Sequence, residues 1–426
     1  MRYFENLPRK KWGPFTLRPG TCTLAEMEKI REMLKKVRLR GEYGIRSVLS
    51  SLGEKMPEPV FTNPNELRIA AGKVSGESRK AILLAMRNID KFHTQLLPEN
   101  RNVEILPGLV CGASWNPLDR VGLYIPGGTA PLFSTLIMLG VPARIAGVKE
   151  IAVSTPLKAN STFSPELAFI IRELEIDEVL KLGGIPAIGA LGYGFGKFKP
   201  VNKIFGPGNK WVTGAKSEIR NQGVEIDFLA GPSELVVLAD KFSNPEFIAA
   251  DLIAQAEHGP DSQVFLVTDS KKLIREVVRE VDNQILTLPR KEMALKSLKR
   301  SFAMYFTKPE TGMEFINNYA PEHLSIQVKN PARWLPLVRN AGSVFLGSLS
   351  CEVLGDYASG TNHCLPTGGF ARVYGGVSTE SFMKKMTWQT INRASLLKVG
   401  PPVRLLARLE GLEGHANSIL KRLQNV

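Results

Sequence analysis

The spacing of apolar residues changes along the chain near residue 121. Before it, apolar positions recur mostly at helical spacing, as in EMEKIREMLKKVRLR and, from about Ser75, SGESRKAILLAMRNIDKFHTQLL. Thr23 and Glu26 form a T-x-x-E capping box in front of the first segment, and Asn63-Pro64 predicts another helix start. Short β-type runs, VEIL and GLVCGASW, follow these helices. The first hundred residues are therefore predicted to be mainly helical.

From Val121 to about Thr268, short apolar runs alternate with helical patterns. The runs VGLYI, EIAVS, KIFG, ELVVLA and SQVFLVT are interleaved with segments such as PELAFIIREL and NPEFIAADLIAQAEH. The alternation resumes with FAMYFT, HLSIQV and SVFLG, and a helical segment is predicted after Pro402. This order is typical of parallel sheets with helices on both faces. The sequence predicts an α/β fold with mostly parallel sheets.

Composition narrows the class of protein. No stretch approaches the roughly 20 apolar residues of a membrane span, and the N-terminus lacks the apolar core of a secretion signal, so a cytoplasmic protein without a membrane partner is expected. The net charge of +14 would suit nucleic acid, but the basic runs are short and isolated and no recognition motif accompanies them. The cysteines form no C-x-x-C pair and are expected to be reduced: Cys22, Cys111, Cys351 and Cys364.

The chain has five histidines, and four of them lie in segments rich in carboxylates, amides and glycines. His93 follows an amphipathic helix and is expected to be structural. In DLIAQAEHGPDSQ, Gln255 and His258 share one face of a helix end that stops at Gly259-Pro260. Two interpretations stay open here: the two side chains bind one ligand, or His258 caps its own helix.

Three further segments carry the remaining histidines. Glu322 and His323 are adjacent in YAPEHLSIQV, which suits an acid–base pair, although a lone Glu-His dipeptide also arises by chance. LGDYASGTNHCLPTGG places Asp356 and His363 in a small, polar segment typical of a loop that builds a site. In RLEGLEGHANSI, Glu410 and His415 accompany two glycines: Gly411 and Gly414. A carboxylate, two imidazoles and an amide from these segments would suit zinc or manganese.

Three glycine-rich turns are candidate cofactor sites. YIPGGTAP, LGGIPAIGALGYGFG and IFGPGNKW each follow a strand-like run, and the last opens a helix whose N–H groups could hold a phosphate. None matches G-x-G-x-x-G in its usual context, so ordinary tight turns between strand and helix remain the alternative.

Taken together, the motifs resemble the histidinol dehydrogenase family. GLYIPGGTAPLFST, KIFGPGN, AGPSE, QAEHGPDSQ, APEHL, GDYASGTNH and LEGLEGH occur in this order, from about Asn88 to the C-terminus. The resemblance implies a zinc-dependent, NAD-linked oxidation of L-histidinol to L-histidine through bound L-histidinaldehyde. It also implies one zinc ion per subunit and a homodimer whose site is shared across the interface.

The resemblance assigns roles residue by residue. It implies that His323 takes the alcohol proton and that Glu322 activates water for the second oxidation. The implied zinc ligands, the last from the partner subunit, are Gln255, His258, Asp356 and His415. The implied substrate contacts are these four ligands together with His323, Ser233, His363 and Glu410. The positions that match the NAD site are Tyr124, Asn209 and Pro186.

The resemblance also implies two incomplete Rossmann-like domains of the aldehyde-dehydrogenase-like kind. The expected parts are an N-terminal arm at 1–22, a first domain at 23–120 and 234–376 with much of the metal and catalytic site, an inserted NAD domain at 121–233, and a C-terminal helical segment at 377–426 that reaches the partner. The two terminal segments would serve dimerisation.

The chain departs from the family pattern in two places, which leaves other functions open. Pro186 replaces the usual glutamine of G-G-x-Q-A and offers no amide donor to NAD, and residues 41–56 fit the pattern poorly. A related dehydrogenase for another small polar alcohol is one alternative. A basic nucleic-acid-binding protein that keeps the fold without catalysis is the other.

Overall fold

The computed structural model describes residues 2–16, 18, 22–127, 132–157, 162–176, 178–229 and 231–425. Part of the YIPGGTAP turn (128–131) and residue 230 of AGPSE lie outside the described residues. The chain divides into two units. The first unit comprises residues 1–96 and 119–382, and the second comprises residues 97–118 and 383–426.

The elements have the following bounds. The helices are α1 Gly13–Thr16, α2 Leu24–Ser51, α3 Pro64–Ala71, α4 Gly76–Thr94, α5 Phe133–Ile145, α6 Pro165–Glu173, α7 Gly184–Tyr193, α8 Lys210–Arg220, α9 Pro245–Ala256, α10 Lys271–Gln284, α11 Lys291–Arg300, α12 Pro309–Tyr319, α13 Glu352–Tyr357, α14 Arg393–Leu409 and α15 Glu413–Gln424. The strands are β1 Arg2–Glu5, β2 Arg101–Leu106, β3 Leu109–Pro117, β4 Arg120–Tyr124, β5 Glu150–Ser154, β6 Glu178–Leu180, β7 Lys203–Phe205, β8 Glu225–Ile226, β9 Glu234–Ala239, β10 Gln263–Thr268, β11 Phe302–Tyr305, β12 His323–Gln327, β13 Ser343–Leu346 and β14 Met383–Ile391.

The first unit contains two parallel sheets among its described residues. One has six strands in the order β1-β11-β10-β9-β12-β13, and the other has five in the order β6-β5-β4-β7-β8. When β1 is left out and the strands of each sheet are numbered in chain order, both sheets have the order 3-2-1-4-5. This is the order of a dinucleotide-binding fold that lacks its sixth strand. The predicted α/β fold with mostly parallel sheets is confirmed.

The central strand of the six-stranded sheet shows why the apolar runs are continuous. All six residues of β9 (ELVVLA) are buried because helices cover both faces of the sheet. Leu235 and Val237 pack on one face with α9, α10 and α11, and Val236 and Leu238 pack on the other face with α12. Alternate side chains of a strand point to opposite faces, so both faces require apolar residues.

The helices between residues 23 and 94 pack on the five-stranded sheet or on the helices that follow its strands. Ile30 and Leu34 of α2 join one core with Leu191 of α7 and Ile219 of α8, and α3 and α4 contact α6 and α5. The family resemblance grouped this segment with 234–376. The apolar periodicity gave no independent evidence on that grouping, because it identifies the buried face of a helix but not its partner. The domain boundaries themselves stay a prediction.

The start of α2 follows the predicted capping box, but the helix continues further than expected. Thr23 Oγ1 accepts from Glu26 N at 3.2 Å, and Glu26 Oε2 accepts from Thr23 N at 2.9 Å. The chain passes through Gly41 at φ 52 and remains helical to Ser51. A glycine is needed there because the break in the helix requires a left-handed backbone.

The N-terminal segment is partly built into the six-stranded sheet. β1 pairs in parallel with β11 along its whole length, from Arg2 opposite Phe302 to Glu5 opposite Tyr305. Trp12 is buried at 5% exposure, and its ring meets Phe315 edge-on at 5.5 Å between centroids. The predicted arm at 1–22 therefore contributes an edge strand and core residues to its own chain.

The second unit is a small sheet followed by two helices. β14 pairs antiparallel with β3, which pairs with β2, so VEIL and GLVCGASW are strands as predicted. The prediction of a helical segment at 377–426 was wrong for Met383–Ile391, whose mostly exposed residues form β14. α14 also begins before Pro402 and contains Pro401 and Pro402 within it. Among the described residues, no helix is long and apolar enough to cross a membrane.

Candidate active site

Glu322 and His323 lie at the amino edge of the six-stranded sheet. α12 ends at Tyr319, Ala320 turns the chain with a left-handed φ of 55°, and β12 begins at His323. β12 lies between β9 and β13, which buries Glu322 and His323 to 6% and 4% exposure. The helix-to-strand transition predicted for this dipeptide is present, and both side chains are held within the protein.

The backbone of β9 fixes the His323 ring. His323 Nδ1 lies 3.2 Å from the backbone oxygen of Glu234. A carbonyl oxygen only accepts hydrogen bonds, so Nδ1 carries a proton and Nε2 is the nitrogen left to act as a base. Nε2 lies 3.6 Å from Asp356 Oδ1 and makes no hydrogen bond within the described residues.

Three carboxylates surround His323. Its Nδ1 lies 3.7 Å from Glu322 Oε2 and 3.7 Å from Glu352 Oε1, and Asp356 lies on the Nε2 side. Burial alone would lower the pKa of His323, but the charges of Glu352, Glu322 and Asp356 raise it to about 10. Burial raises the pKa of Glu322 to about 8. Without a cation the His323 imidazole is therefore protonated at neutral pH, and a metal ion bound among the carboxylates would offset the charge that raises its pKa and so free Nε2 to act as a base.

The sequence analysis missed Glu352. It lies on α13 one helical turn before Asp356, is 1% exposed, and has one oxygen without a hydrogen-bond partner in the described chain. His323, Glu352 and Asp356 offer ligand atoms that all lie within 4.8 Å of one another. The signal available in CEVLGDY was the pair of carboxylates at i and i+4 in a short helix.

The end of α9 brings Gln255 and His258 to the same cluster. Gln255 is fully buried, and with its amide oriented to satisfy its neighbours it donates to Glu352 Oε1 and accepts from Glu234 N at 3.0 Å. His258 lies just beyond the last residue of α9 and is exposed. Surrounding protein still desolvates its ring and lowers its pKa, while the charge of Asp356 acts to raise it. The neutral imidazole that results is the form that binds metals.

Ser233, Glu322 and His363 line one small cavity. Its volume is about 60 Å³, and Pro207 of the IFGPGN turn also lines it. His363 Nδ1 donates to the backbone oxygen of Asp356 at 2.7 Å, which directs Nε2 to within 3.3 Å of Thr135 Oγ1. The loop after α13 therefore folds back and places His363 beside the acid–base pair.

A buried ion pair between Arg18 and Glu234 holds the strand residue that contacts both Glu322 and His323. Arg18 Nε lies 2.6 Å from Glu234 Oε1, their side chains are 11% and 2% exposed, and the Arg18 guanidinium stacks 3.4 Å from the Tyr319 ring. Glu234 in turn donates its N–H to Glu322 Oε2 at 2.9 Å, besides accepting from His323. Arg18 thus positions the residue that holds both members of the pair, and no pattern around it indicated this role.

The residues predicted for NAD lie at the carboxyl edge of the five-stranded sheet. Tyr124 ends β4, is buried, and accepts from Gly184 N at 3.2 Å with its hydroxyl. Pro186 is buried in the first turn of α7. Asn209 opens α8, where its oxygen accepts from Trp211 N at 3.1 Å. That oxygen satisfies the helix end, so Asn209 has only its amide N–H groups to offer a ligand.

The turn after β7 is held by a buried ion pair. Gly206 has φ 119°, and a Cβ there would lie 2.0 Å from the backbone oxygen of Tyr124. Asp227 Oδ2 accepts from Gly206 N at 2.8 Å, and Lys216 Nζ donates to Gly206 O at 2.9 Å. Lys216 and Asp227 also pair with each other at 3% and 2% exposure. The IFGPGN turn is therefore fixed in place.

Glu410 and His415 belong to the second unit. Glu410 follows the last residue of α14, His415 lies in the first turn of α15, and both are exposed. Gly411 separates the helices with a left-handed φ of 75°. Their exposure is compatible with contact to another chain, and their roles at the site stay predictions.

Two parallel sheets of order 3-2-1-4-5, with a buried acid–base pair at the amino edge of one of them, define an α/β protein built from two dinucleotide-binding-type sheets. The fold resembles that of an acetylating aldehyde dehydrogenase from Geobacillus thermoglucosidasius, with a TM-score of 0.50 at 13% identity over 87% of this chain and 98% of that one. At this identity the likeness shows the fold alone.

The chain belongs to the histidinol dehydrogenase family. The family model described as histidinol dehydrogenase matches residues 18–423, so the similarity begins well before Asn88. A histidinol dehydrogenase of Bacteroides thetaiotaomicron is 42% identical over the full length of both chains, and one of Xylella fastidiosa is 42% identical over 95% of this chain and 94% of its own. A crystal structure of histidinol dehydrogenase from Elizabethkingia anophelis has a TM-score of 0.96 at 38% identity, over 100% of this chain and 98% of that one. The predicted family and the prediction of an oxidoreductase are confirmed.

Proposed function

We propose that this protein oxidises L-histidinol to L-histidine through L-histidinaldehyde, with zinc and two NAD, as the last steps of histidine biosynthesis. The observation that carries the proposal is the buried Glu322–His323 pair, in which a backbone contact orients the imidazole and Nε2 faces the cluster. Alcohol oxidation needs a base at the hydroxyl, and hydration of the aldehyde needs a base at a water. Two titratable groups in different surroundings meet both needs.

The side chains that meet beside the end of α9 are of the types that bind zinc. Gln255 offers the second lone pair of the amide oxygen that accepts from Glu234 N, and His258 offers a neutral imidazole. Asp356 offers a carboxylate whose pKa is lowered by nearby imidazoles, His323 first, although burial opposes this. His415 from the partner subunit would complete the N/O ligand set that the family resemblance implies. When bound, the zinc ion would anchor the amine and imidazole of histidinol and offset part of the charge of the carboxylate cluster.

The proton steps follow from the surroundings of the pair. His323 Nε2 takes the hydroxyl proton of histidinol, while the Nδ1 contact to Glu234 keeps the ring oriented. Glu322 lines a cavity of about 60 Å³, above the roughly 10–15 Å³ that one water needs, and it deprotonates the water that adds to the aldehyde. Ser233 and His363 line the same cavity and orient the substrate.

The NAD site is proposed where strand order reverses in the five-stranded sheet. Dinucleotides bind outside the carboxyl ends of parallel strands at such a point, which here lies between β4 and β7. Tyr124 ends β4, and Asn209 follows β7 at the start of α8. Bound NAD would accept the hydride of each oxidation. Pro186 leaves this site without the side-chain amide usual in the family.

Product stoichiometry tests the proposal. With zinc and excess NAD, the protein is expected to form about two NADH per histidinol, because both oxidations occur at one site. Treatment with a chelator should abolish NADH formation, and added zinc, unlike magnesium, should restore it. Turnover of another small polar alcohol without turnover of histidinol would favour the alternative substrate. Salt-dependent retention on DNA without any NADH would favour nucleic-acid binding.

We also propose a cytoplasmic homodimer in which His415 completes the partner's site, and mixed dimers test it. His415→Ala and Asp356→Ala homodimers are each expected to be inactive. After unfolding and refolding together, about a quarter of wild-type activity should return, because half of the dimers are mixed and each carries one intact site. A mixture that stays inactive would place His415 at the site of its own chain. A mixture of the His93→Asn and Asp356→Ala variants, unfolded and refolded in the same way, controls for activity lost during refolding.

A further inference from the structure

A second cleft lies at the edge of the six-stranded sheet opposite Glu322 and His323. Its volume is about 560 Å³, and the residues that line it include Ala239, Thr268, Phe306 and Val328, which end or directly follow β9, β10, β11 and β12. Strand order reverses between β9 and β12. The cleft therefore lies at the carboxyl ends of parallel strands at a switch point, where ligands bind in this class of fold.

Asp269 gives the cleft an acceptor that the protein itself does not use. It follows β10, the second strand of its sheet, lines the cleft and is partly exposed, and its Oδ1 has no hydrogen-bond partner in the described chain. Asp240, the other aspartate of the cleft, is satisfied by Phe242 N at 2.9 Å and Lys329 N at 2.8 Å. In dinucleotide-binding folds an acid at the end of the second strand accepts from ribose hydroxyls.

Aromatic rings and cations complete the lining. Phe242, Phe306 and Trp334 line the cleft: Phe242 is 64% exposed, Trp334 is partly exposed, and Phe306 is buried. Lys329 lies 5.1 Å from the centre of the Phe242 ring and is itself exposed, as is Arg333 nearby. Exposed aromatic faces stack on planar bases, and lysine and arginine bind phosphate. The cleft therefore offers an aromatic surface for a base, an acceptor for the hydroxyls of a diol and cations for a phosphate.

We propose that this cleft binds a nucleoside monophosphate, separately from NAD and from the active site. The base stacks on Phe242 and Trp334, Asp269 accepts from the ribose hydroxyls, and Lys329 and Arg333 contact the phosphate. A dinucleotide is excluded by the turn after β9, DKFSN, which has no glycine to let the backbone approach a pyrophosphate. Asn244 moreover caps α9 itself by accepting from Glu246 N at 2.9 Å.

Photolabelling of the full chain with 8-azidoadenosine monophosphate tests the site. Saturable labelling is expected on peptides that contain Phe242, Phe306 or Trp334, and unlabelled AMP should compete for it better than adenosine does. Asp269→Asn and Lys329→Glu should each weaken labelling by about tenfold or more, because each removes a polar partner of the ligand. The exposed residues Asp282 and Lys296 provide matched controls, so Asp282→Asn and Lys296→Glu should label normally.

The labelled peptides separate this site from the NAD site. Label confined to peptides from residues 121–229, or labelling insensitive to Asp269→Asn and Lys329→Glu, would overturn the proposal. Turnover of histidinol by Asp269→Asn at saturating NAD is expected to equal that of the wild type. Loss of nucleotide binding is thereby distinguishable from failure of the proposed dehydrogenase activity, and normal turnover also shows that the variant folds.

Discussion

His323→Asn is expected to lower kcat for NADH formation from histidinol by about 10²–10⁴-fold, the contribution of a positioned general base. Asparagine keeps a donor that can reach the backbone oxygen of Glu234, which His323 Nδ1 contacts at 3.2 Å. It lacks the second nitrogen, so the atom that takes the hydroxyl proton is lost while the site stays packed. Steady-state kinetics with zinc present, together with urea unfolding, would separate loss of chemistry from loss of fold.

His93 provides the matched control for this substitution. It is 1% exposed, neither ring nitrogen has a hydrogen-bond partner in the described chain, and burial lowers its pKa to about 4. His93→Asn should therefore reduce stability while turnover per folded molecule stays at the wild-type level. Comparable turnover by His323→Asn and His93→Asn would contradict the proton-transfer role of His323.

The residues that the sequence could predict at this site are those fixed by local chain geometry. Glu322 and His323 are neighbours at a helix-to-strand transition, and Gln255 and His258 lie three residues apart at a helix end. In each pair the short distance along the chain is enough to bring the two side chains together. The motif order then identified the family, and with it Asp356 and the residues of the small cavity. The strands were predictable for a similar reason, since a strand buried on both faces, such as β9, is a continuous apolar run.

The residues that the sequence could not predict depend on contacts between distant segments. Glu352 becomes part of the cluster because α13 packs beside α9, and Arg18 reaches Glu234 across 216 positions of the chain. The apolar stripe of α2 predicted burial but not burial against α7 and α8. β14 was hidden because its residues are mostly exposed, which removes the apolar signal of a core strand.

Asp227→Asn is expected to lower the free energy of unfolding by about 3–5 kcal/mol, the usual cost of leaving one member of a buried ion pair without its partner. Lys216 would remain 3% exposed beside a neutral amide, with only uncharged oxygens, such as the backbone oxygen of Gly206, to accept from it. The same change weakens the acceptor that holds Gly206 N at 2.8 Å. Because Gly206 shapes the turn that leads to Asn209, KM for NAD should also rise.

Glu225→Gln is the matched control for Asp227→Asn. Glu225 lies two residues earlier, its side chain is 50% exposed, and its ion pair with Arg220 spans 2.9 Å at the surface. Exposed pairs contribute about 0–1 kcal/mol, so this substitution should leave both the unfolding midpoint in urea and KM for NAD nearly unchanged. Equal effects of Asp227→Asn and Glu225→Gln would show that the buried Lys216–Asp227 pair contributes no more to stability and to NAD binding than an exposed pair does.

The double variant Lys216→Met/Asp227→Asn separates the two consequences of breaking the pair. With both charges gone, no uncompensated ion is buried, and much of the lost stability should return, as it does when buried ion pairs are replaced by apolar residues. The contact from Lys216 to Gly206 O does not return, and the weakened acceptor for Gly206 N remains. KM for NAD should therefore stay raised while stability recovers, which would assign the pair's function to holding the cofactor turn rather than to stabilising the fold.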